Sequence, residues 1–132
     1  MKYNKDKMTF VKKGWGSELW IVNNDMYCGK ILSIEKDKKL SVHYHLLKDE
    51  TFYCTKGKII IYWTDSKDED DIEEKLLSGN RSMFNEEILE AGDAFHLPPG
   101  RIHQPWALED TEIYEFSTTH FDEDSYRLLK GD

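Results

Sequence analysis

An all-β domain, an antiparallel sandwich or barrel, is what this 132-residue sequence predicts. Three observations lead there. Short runs rich in Ile, Val, Tyr, Phe, Trp and Thr recur along the chain, the composition that suits a pleated, half-buried surface. Turn residues separate those runs at close intervals. No internal repeat or linker divides the chain, and its length fits one domain (residues 1–132) around one core.

Taken in order, the expected strands are Glu18–Val22, Lys30–Ile34, Leu40–Leu46, Thr51–Thr55, Lys58–Thr64, Ala94–Leu97, Ile102–Leu108 and Glu112–Thr118. Asn23-Asn24-Asp25, Lys56-Gly57, Pro98-Pro99-Gly100 and Glu109-Asp110 supply breaks between them. An acidic stretch, Asp65–Lys75, interrupts the pattern. It reads as an insertion over about residues 65–80, a solvated loop with a short helix running to Leu77. It lacks the acid alternation and central Gly turn of a calcium loop. In the tail, Phe121–Asp132, a short helical turn is expected, with Tyr126 and Leu128 packed on the sheets.

Composition narrows the function classes. A net charge of -8 opposes non-specific binding to nucleic acid or to an anionic membrane surface. No stretch has the length and apolarity of a bilayer span, and the first residues, MKYNKDKMTF, carry no signal-peptide core. The expected setting is therefore cytoplasmic and reducing. Cys28 and Cys54, without metal or redox spacing, are expected as free buried thiols.

The chemistry concentrates in two segments. Residues 43–57 contain His43, His45 and Glu50; residues 92–107 contain His103 just after a Pro-Pro-Gly turn. Alternate residues of a strand share a face, so His43 and His45 project side by side, with Val42, Tyr44 and Leu46 opposite. A turn and the next strand can bring Glu50 beside them. Three imidazoles and a carboxylate suit one divalent transition metal, Zn, Mn, Fe, Co or Ni, and leave coordination positions open for substrate. An isolated pair of histidines on a strand is more often polar surface than a metal site.

The order and spacing of the whole set resembles the cupin superfamily. Its first motif, G-x5-H-x-H-x3,4-E-x6-G, is matched by His43, His45, Glu50 and Gly57, with Asp37 in place of the leading Gly. Its second, G-x5-P-x-G-x2-H-x3-N, is matched by Gly92, Pro98, Gly100 and His103, with Ala107 in place of the final Asn. The resemblance implies a double-stranded β-helix, the cupin jelly-roll barrel, with the metal in its mouth and a homodimer as the assembly.

The flanks are similar to sugar cupins. Gly14-Trp15-Gly16 resembles the opening of the cupin domain of bacterial mannose-6-phosphate isomerases, and Glu109–Asp132 is similar to that domain's end. The run HYHLLKDE resembles the H-x-H-x2-K-x-E pattern of D-lyxose isomerase-like cupins, with Lys48 as the matching lysine. These likenesses imply an aldose–ketose isomerase of a sugar or sugar phosphate, working through a metal-stabilised enediolate, with Lys48 or Glu115 handling the proton. The alternatives are a non-catalytic sugar-binding or accessory cupin and, third, an iron-dependent cupin dioxygenase. Arg101 is a candidate for phosphate, and Tyr53, Trp63 and Trp106 are candidates for stacking on a sugar ring, against the simpler account of core packing. His96 and His120 are expected to lie outside the ligand set. Whether Glu115 faces solvent or interior depends on which side of its strand is buried, which the residues Tyr114-Glu115-Phe116 leave open.

Overall fold

The computed structural model describes residues 1–132. Eleven strands and one α-helix follow in order: β1 (Thr9–Lys13), β2 (Gly16–Asn23), β3 (Cys28–Ile34), β4 (Val42–Tyr44), β5 (Glu50–Lys56), β6 (Lys58–Thr64), α1 (Glu69–Leu77), β7 (Asn85–Glu90), β8 (Ala94–Leu97), β9 (Ile102–Ala107), β10 (Thr111–Ser117) and β11 (Tyr126–Leu129). They form two antiparallel sheets, ordered β1-β2-β3-β10-β5-β8 and β11-β4-β9-β6-β7. The architecture is a single jelly-roll sandwich; the expected barrel does not close into one continuous sheet.

Each expected strand is present, although the Leu40–Leu46 run is strand only over Val42–Tyr44. Three more strands lie at or near sheet edges: β1, β7 and β11. Edge strands bury little, so their sequences show no apolar alternation. β7, NEEILE, buries Leu89 alone. The tail carries its expected helical turn at Asp122–Asp124 but then becomes β11, paired with β4, where Tyr126 stacks outside on Tyr44.

Strand alternation divides the interior. Trp15, Leu32, Ile34, Phe52, Cys54, Ile59, Ile61, Leu89, Leu97 and Ile113 pack between the sheets at one end. On the outer face of the smaller sheet, Val42 and Ile102 pack with Ile72 and Leu76 of α1 and with Phe84. The helix forms because Asp68 caps it by accepting the Asp71 N–H and because Ile72 and Leu76 share one face. It ends at Leu77, as the sequence predicts. Cys28 and Cys54 are both free and buried.

The two departures from the motif pattern are absorbed locally. Asp37 stands at φ 67, the left-handed conformation that a glycine there would take, and Asp tolerates it better than most residues. Ala107 is fully buried in the core; its N–H donates to Lys38 O and its carbonyl accepts from Asp37 N–H. Gly57 has no such substitute. Its φ is 90, and a Cβ there would lie 2.2 Å from Asp110 O. Gly57→Ala is expected to destabilise the domain by about 2–4 kcal/mol through backbone strain and overpacking, read from urea unfolding.

Candidate metal centre

β4 and β9 are neighbours, and His43 stands opposite His103 in their register. Because Val42 and Ile102 bury themselves beneath α1, His43 and His103 turn to the other face, between the sheets. His45 follows β4 and completes a trio whose ligand nitrogens all lie within 4.8 Å of one another. The ring centroids are 4.5 Å apart for His43–His103, 5.0 Å for His43–His45 and 6.0 Å for His45–His103.

Each ring is oriented by the same device. Nδ1 of His43 faces Ser41 O at 3.1 Å, with Ser41 Oγ also at 2.9 Å, Nδ1 of His45 donates to Asp124 O at 2.9 Å, and Nδ1 of His103 to Arg101 O at 2.9 Å. A carbonyl oxygen only accepts, so the neutral imidazoles carry their hydrogen on Nδ1 and a lone pair on Nε2. His103 Nε2 and Glu50 Oε2 are buried without a hydrogen-bond partner. Glu50 Oε2 also lies 3.2 Å from His45 Nε2. With the His45 hydrogen committed to Asp124, two lone pairs would meet there, an arrangement that calls for a proton or a metal ion between them. The residues present therefore fit a divalent ion: neutral nitrogen donors, an adjacent carboxylate, and anchors behind each ring.

The electrostatics favour the same protonation states. Burial, reinforced by His103 and His45, pushes His43 well below its usual range, and burial pushes His103 down as well. Burial acts to raise the Glu50 carboxyl, but a hydrogen bond from His45 Nε2, available when a proton rather than an ion sits between the two atoms, and the nearby positive charge of Lys48 outweigh it and keep it below the ordinary carboxylate range.

Asp124 links this centre to the tail. Its carbonyl holds His45 while its carboxylate accepts the N–H groups of Leu46, Leu47 and Lys48 at 2.9–3.2 Å. Burial acts to raise that carboxyl, but the three N–H groups outweigh it and keep it below the ordinary range.

The centre opens into a cavity of about 310 Å³ lined by residues of both sheets. Lys48 and Glu115 both line it and form a buried ion pair, Nζ to Oε2 3.0 Å, with Ser117 Oγ donating to the same oxygen. Glu115 faces inward because it is in phase with buried Ile113, while Tyr114 and Phe116 face out. Burial alone would lower Lys48, but Glu115 and Glu50 beside it raise it.

The other candidates stand elsewhere. Arg101 makes a two-pronged pair with Asp65 at 3.0 Å and covers the Trp63 ring at 4.0 Å. Trp106 lies under Arg81 and Lys39, and Tyr53 is exposed; none of these four lines the cavity. His96 pairs with Asp49 at 2.6 Å on the surface. His120 is outside the trio but does line the cavity, bonded to Asp122 and held edge-on against Trp20, and burial lowers it to about 4. The sequence reading passed over Trp20 and Lys30. Lys30 carried a usable signal, since it is in phase with Leu32 and Ile34 on β3, both core positions.

Comparisons with known proteins agree with this geometry. A family model described as Cupin matches residues 30–128. The chain is 29% identical over 114 residues to a D-lyxose ketol-isomerase of Cohnella laeviribosi, a match that covers 77% of this chain and 61% of that protein. It thus spans about three fifths of that relative's length. Among solved structures, KdgF from Halomonas sp. superposes with a TM-score of 0.67 at 15% identity, over 92% of this chain and 94% of that one. The capsular polysaccharide assembling protein CapF from Staphylococcus aureus superposes with a TM-score of 0.70 at 19% identity, over 97% of this chain and 33% of that one. At such identities the two structures share a fold with this chain.

Two outcomes test the centre. Purified protein is expected to bind one divalent transition ion per chain by calorimetry, and His103→Ala to lose it while His96→Ala does not. Asp124→Asn is expected to destabilise the fold by about 1.5–3 kcal/mol near neutral pH. Because the folded-state carboxyl is depressed, that difference is complete above an unfolded value of about 4 and shrinks as pH falls through the lower folded value. Urea melts of both proteins across pH 2–7 read it.

Proposed function

The chain belongs to the cupin family, and from that premise we propose that it is a metal-dependent isomerase of a small sugar or sugar phosphate, moving a proton between adjacent carbons of an aldose and its ketose. The observation that carries this reading is the buried Lys48–Glu115 pair in the same cavity as His43, His45 and Glu50. Likeness to a ketol-isomerase supports it.

In this reading His43, His45, His103 and Glu50 hold the ion. A divalent ion there supplies positive charge to a substrate carbonyl and its neighbouring hydroxyl, stabilising the negative charge that develops on proton removal. The remaining steps belong to the chain. Glu115 is ionised beside Lys48, and both of its hydrogen bonds fall on Oε2, which leaves Oε1 for the substrate. Oε1 takes the proton from the carbon beside the carbonyl; the C–H electron pair forms the carbon–carbon double bond and the carbonyl π pair moves onto its oxygen. The same carboxyl then returns the proton to the former carbonyl carbon on the same face, while the hydroxyl proton passes from the neighbouring oxygen to the former carbonyl oxygen, leaving the new carbonyl on the carbon that was deprotonated. Lys48 holds the carboxylate in place and offsets its charge. Burial of the pair leaves its attraction less screened than in water.

The test pairs turnover with isotope exchange. Protein loaded with Mn, Zn, Co, Ni or Fe is incubated with free aldoses, mannose 6-phosphate and fructose 6-phosphate in deuterated water. Ketose formation with deuterium at the carbon that exchanges is expected. Glu115→Gln should lower kcat by about 10²–10⁴-fold, with KM little changed. No turnover above His103→Ala, with any of these metals and sugars, would count decisively against the isomerase. Sugar binding without exchange would instead favour a binding module.

A further inference from the structure

Lys30 has no part in the proton transfer just described, yet its placement is unusual. It projects from β3 into the cavity with its side chain 3% exposed. Burying an ammonium is costly unless its charge and its three donors are satisfied. Here no hydrogen bond reaches Nζ; its neighbours are Glu18 Oε1 at 3.6 Å and the face of Trp20 at 4.0 Å. Glu18 is itself divided. Its Oε1 accepts the Trp20 indole N–H at 2.8 Å, and its Oε2 lies 3.9 Å from Lys13 Nζ. Two lysines thus share one carboxylate, and one positive charge is left over at this end of the cavity.

The opposite sheet adds to it. Arg127 on β11 is in register with His43, lines the same cavity, and makes no ion pair. Of the other carboxylates that line the cavity, Glu115 is engaged by Lys48, Glu50 lies against His45, and Asp122 is bonded to His120; none of them pairs with Lys30 or Arg127. In a protein of net charge -8, these two cations are thus left without a carboxylate of their own where a substrate would enter. The register fixes the direction too. Trp20, Lys30 and Glu115 lie in one row across β2, β3 and β10. A substrate whose reacting carbons meet Glu115 extends along that row to Lys30.

We propose that Lys30, assisted by Arg127, binds an anionic terminus of the substrate, a phosphate ester or a carboxylate, and makes the cavity selective for charged over neutral sugars. This deepens the reading of the cavity as a sugar site and rests on it.

Equilibrium binding tests it without any turnover, so a failure of the isomerase reading and a failure of this one are separately visible. Calorimetry on the metal-loaded protein would compare mannose, mannose 6-phosphate and mannuronate. One or both charged sugars are expected to bind at least about tenfold tighter than mannose, the size of one charge-assisted contact. Which of the two is preferred identifies the terminus. Lys30→Gln should bring that ratio close to one; reading the ratio rather than either affinity separates the lysine's share from any contact between the anion and the ion. Arg127→Gln, at an exposed position that the fold does not need, should lower the ratio in part. Equal affinity for all three sugars in the wild type, or a preference untouched by both variants, overturns the proposal.

Discussion

Three backbone carbonyls, those of Ser41, Arg101 and Asp124, decide where the imidazoles point their lone pairs. Everything chemical in the cavity follows from that choice. Each carbonyl belongs to a segment fixed by its own strand or turn, so no ring can rotate without leaving a buried N–H unpaired. Such a loss costs about 1–3 kcal/mol, well above thermal energy. The rings are therefore set before any ligand arrives, and the 3.2 Å approach of His45 to Glu50 is imposed by the frame.

The frame tolerates this because strand alternation sorts its residues. β10 places Ile113 in the apolar core and Glu115, two residues on, in the cavity. β3 does the same with Leu32 and Lys30. Moving along one strand thus crosses from a dry core to a polar chamber within two residues. The Lys48–Glu115 pair is buried in that chamber, where its attraction is less screened than in water.

Much of this was legible in the sequence. The paired histidines, Glu50 and His103 declared a convergent group, and the turn residues between apolar runs declared a strand-rich fold. The edge strands β1, β7 and β11 were not legible, because a strand that buries at most one residue leaves no alternating pattern to read. Arg101 is taken up by Asp65 and the Trp63 face, and Trp106 by Arg81 and Lys39, all outside the cavity, which no residue-type argument could foresee. Lys30 is legible only through its phase with Leu32 and Ile34, and Trp20 is not legible, because the pairing of β2 with β3 is what brings it to the cavity wall; His120 lies outside the ligand set as expected, and the course of the tail brings it to the same wall.

Asp124 lies 79 residues beyond His45 in the chain, and 21 beyond His103. A ribosome makes a protein from one end, so the histidine pair emerges long before the residue that orients its second ring. During that interval the imidazole is free to rotate. The oriented geometry arises only when the tail has been synthesised and Asp124 has reached His45. Long-range closures of this kind are slow to find. The order of synthesis therefore sets the order of assembly, and the oriented ring belongs to the finished domain rather than to the nascent chain.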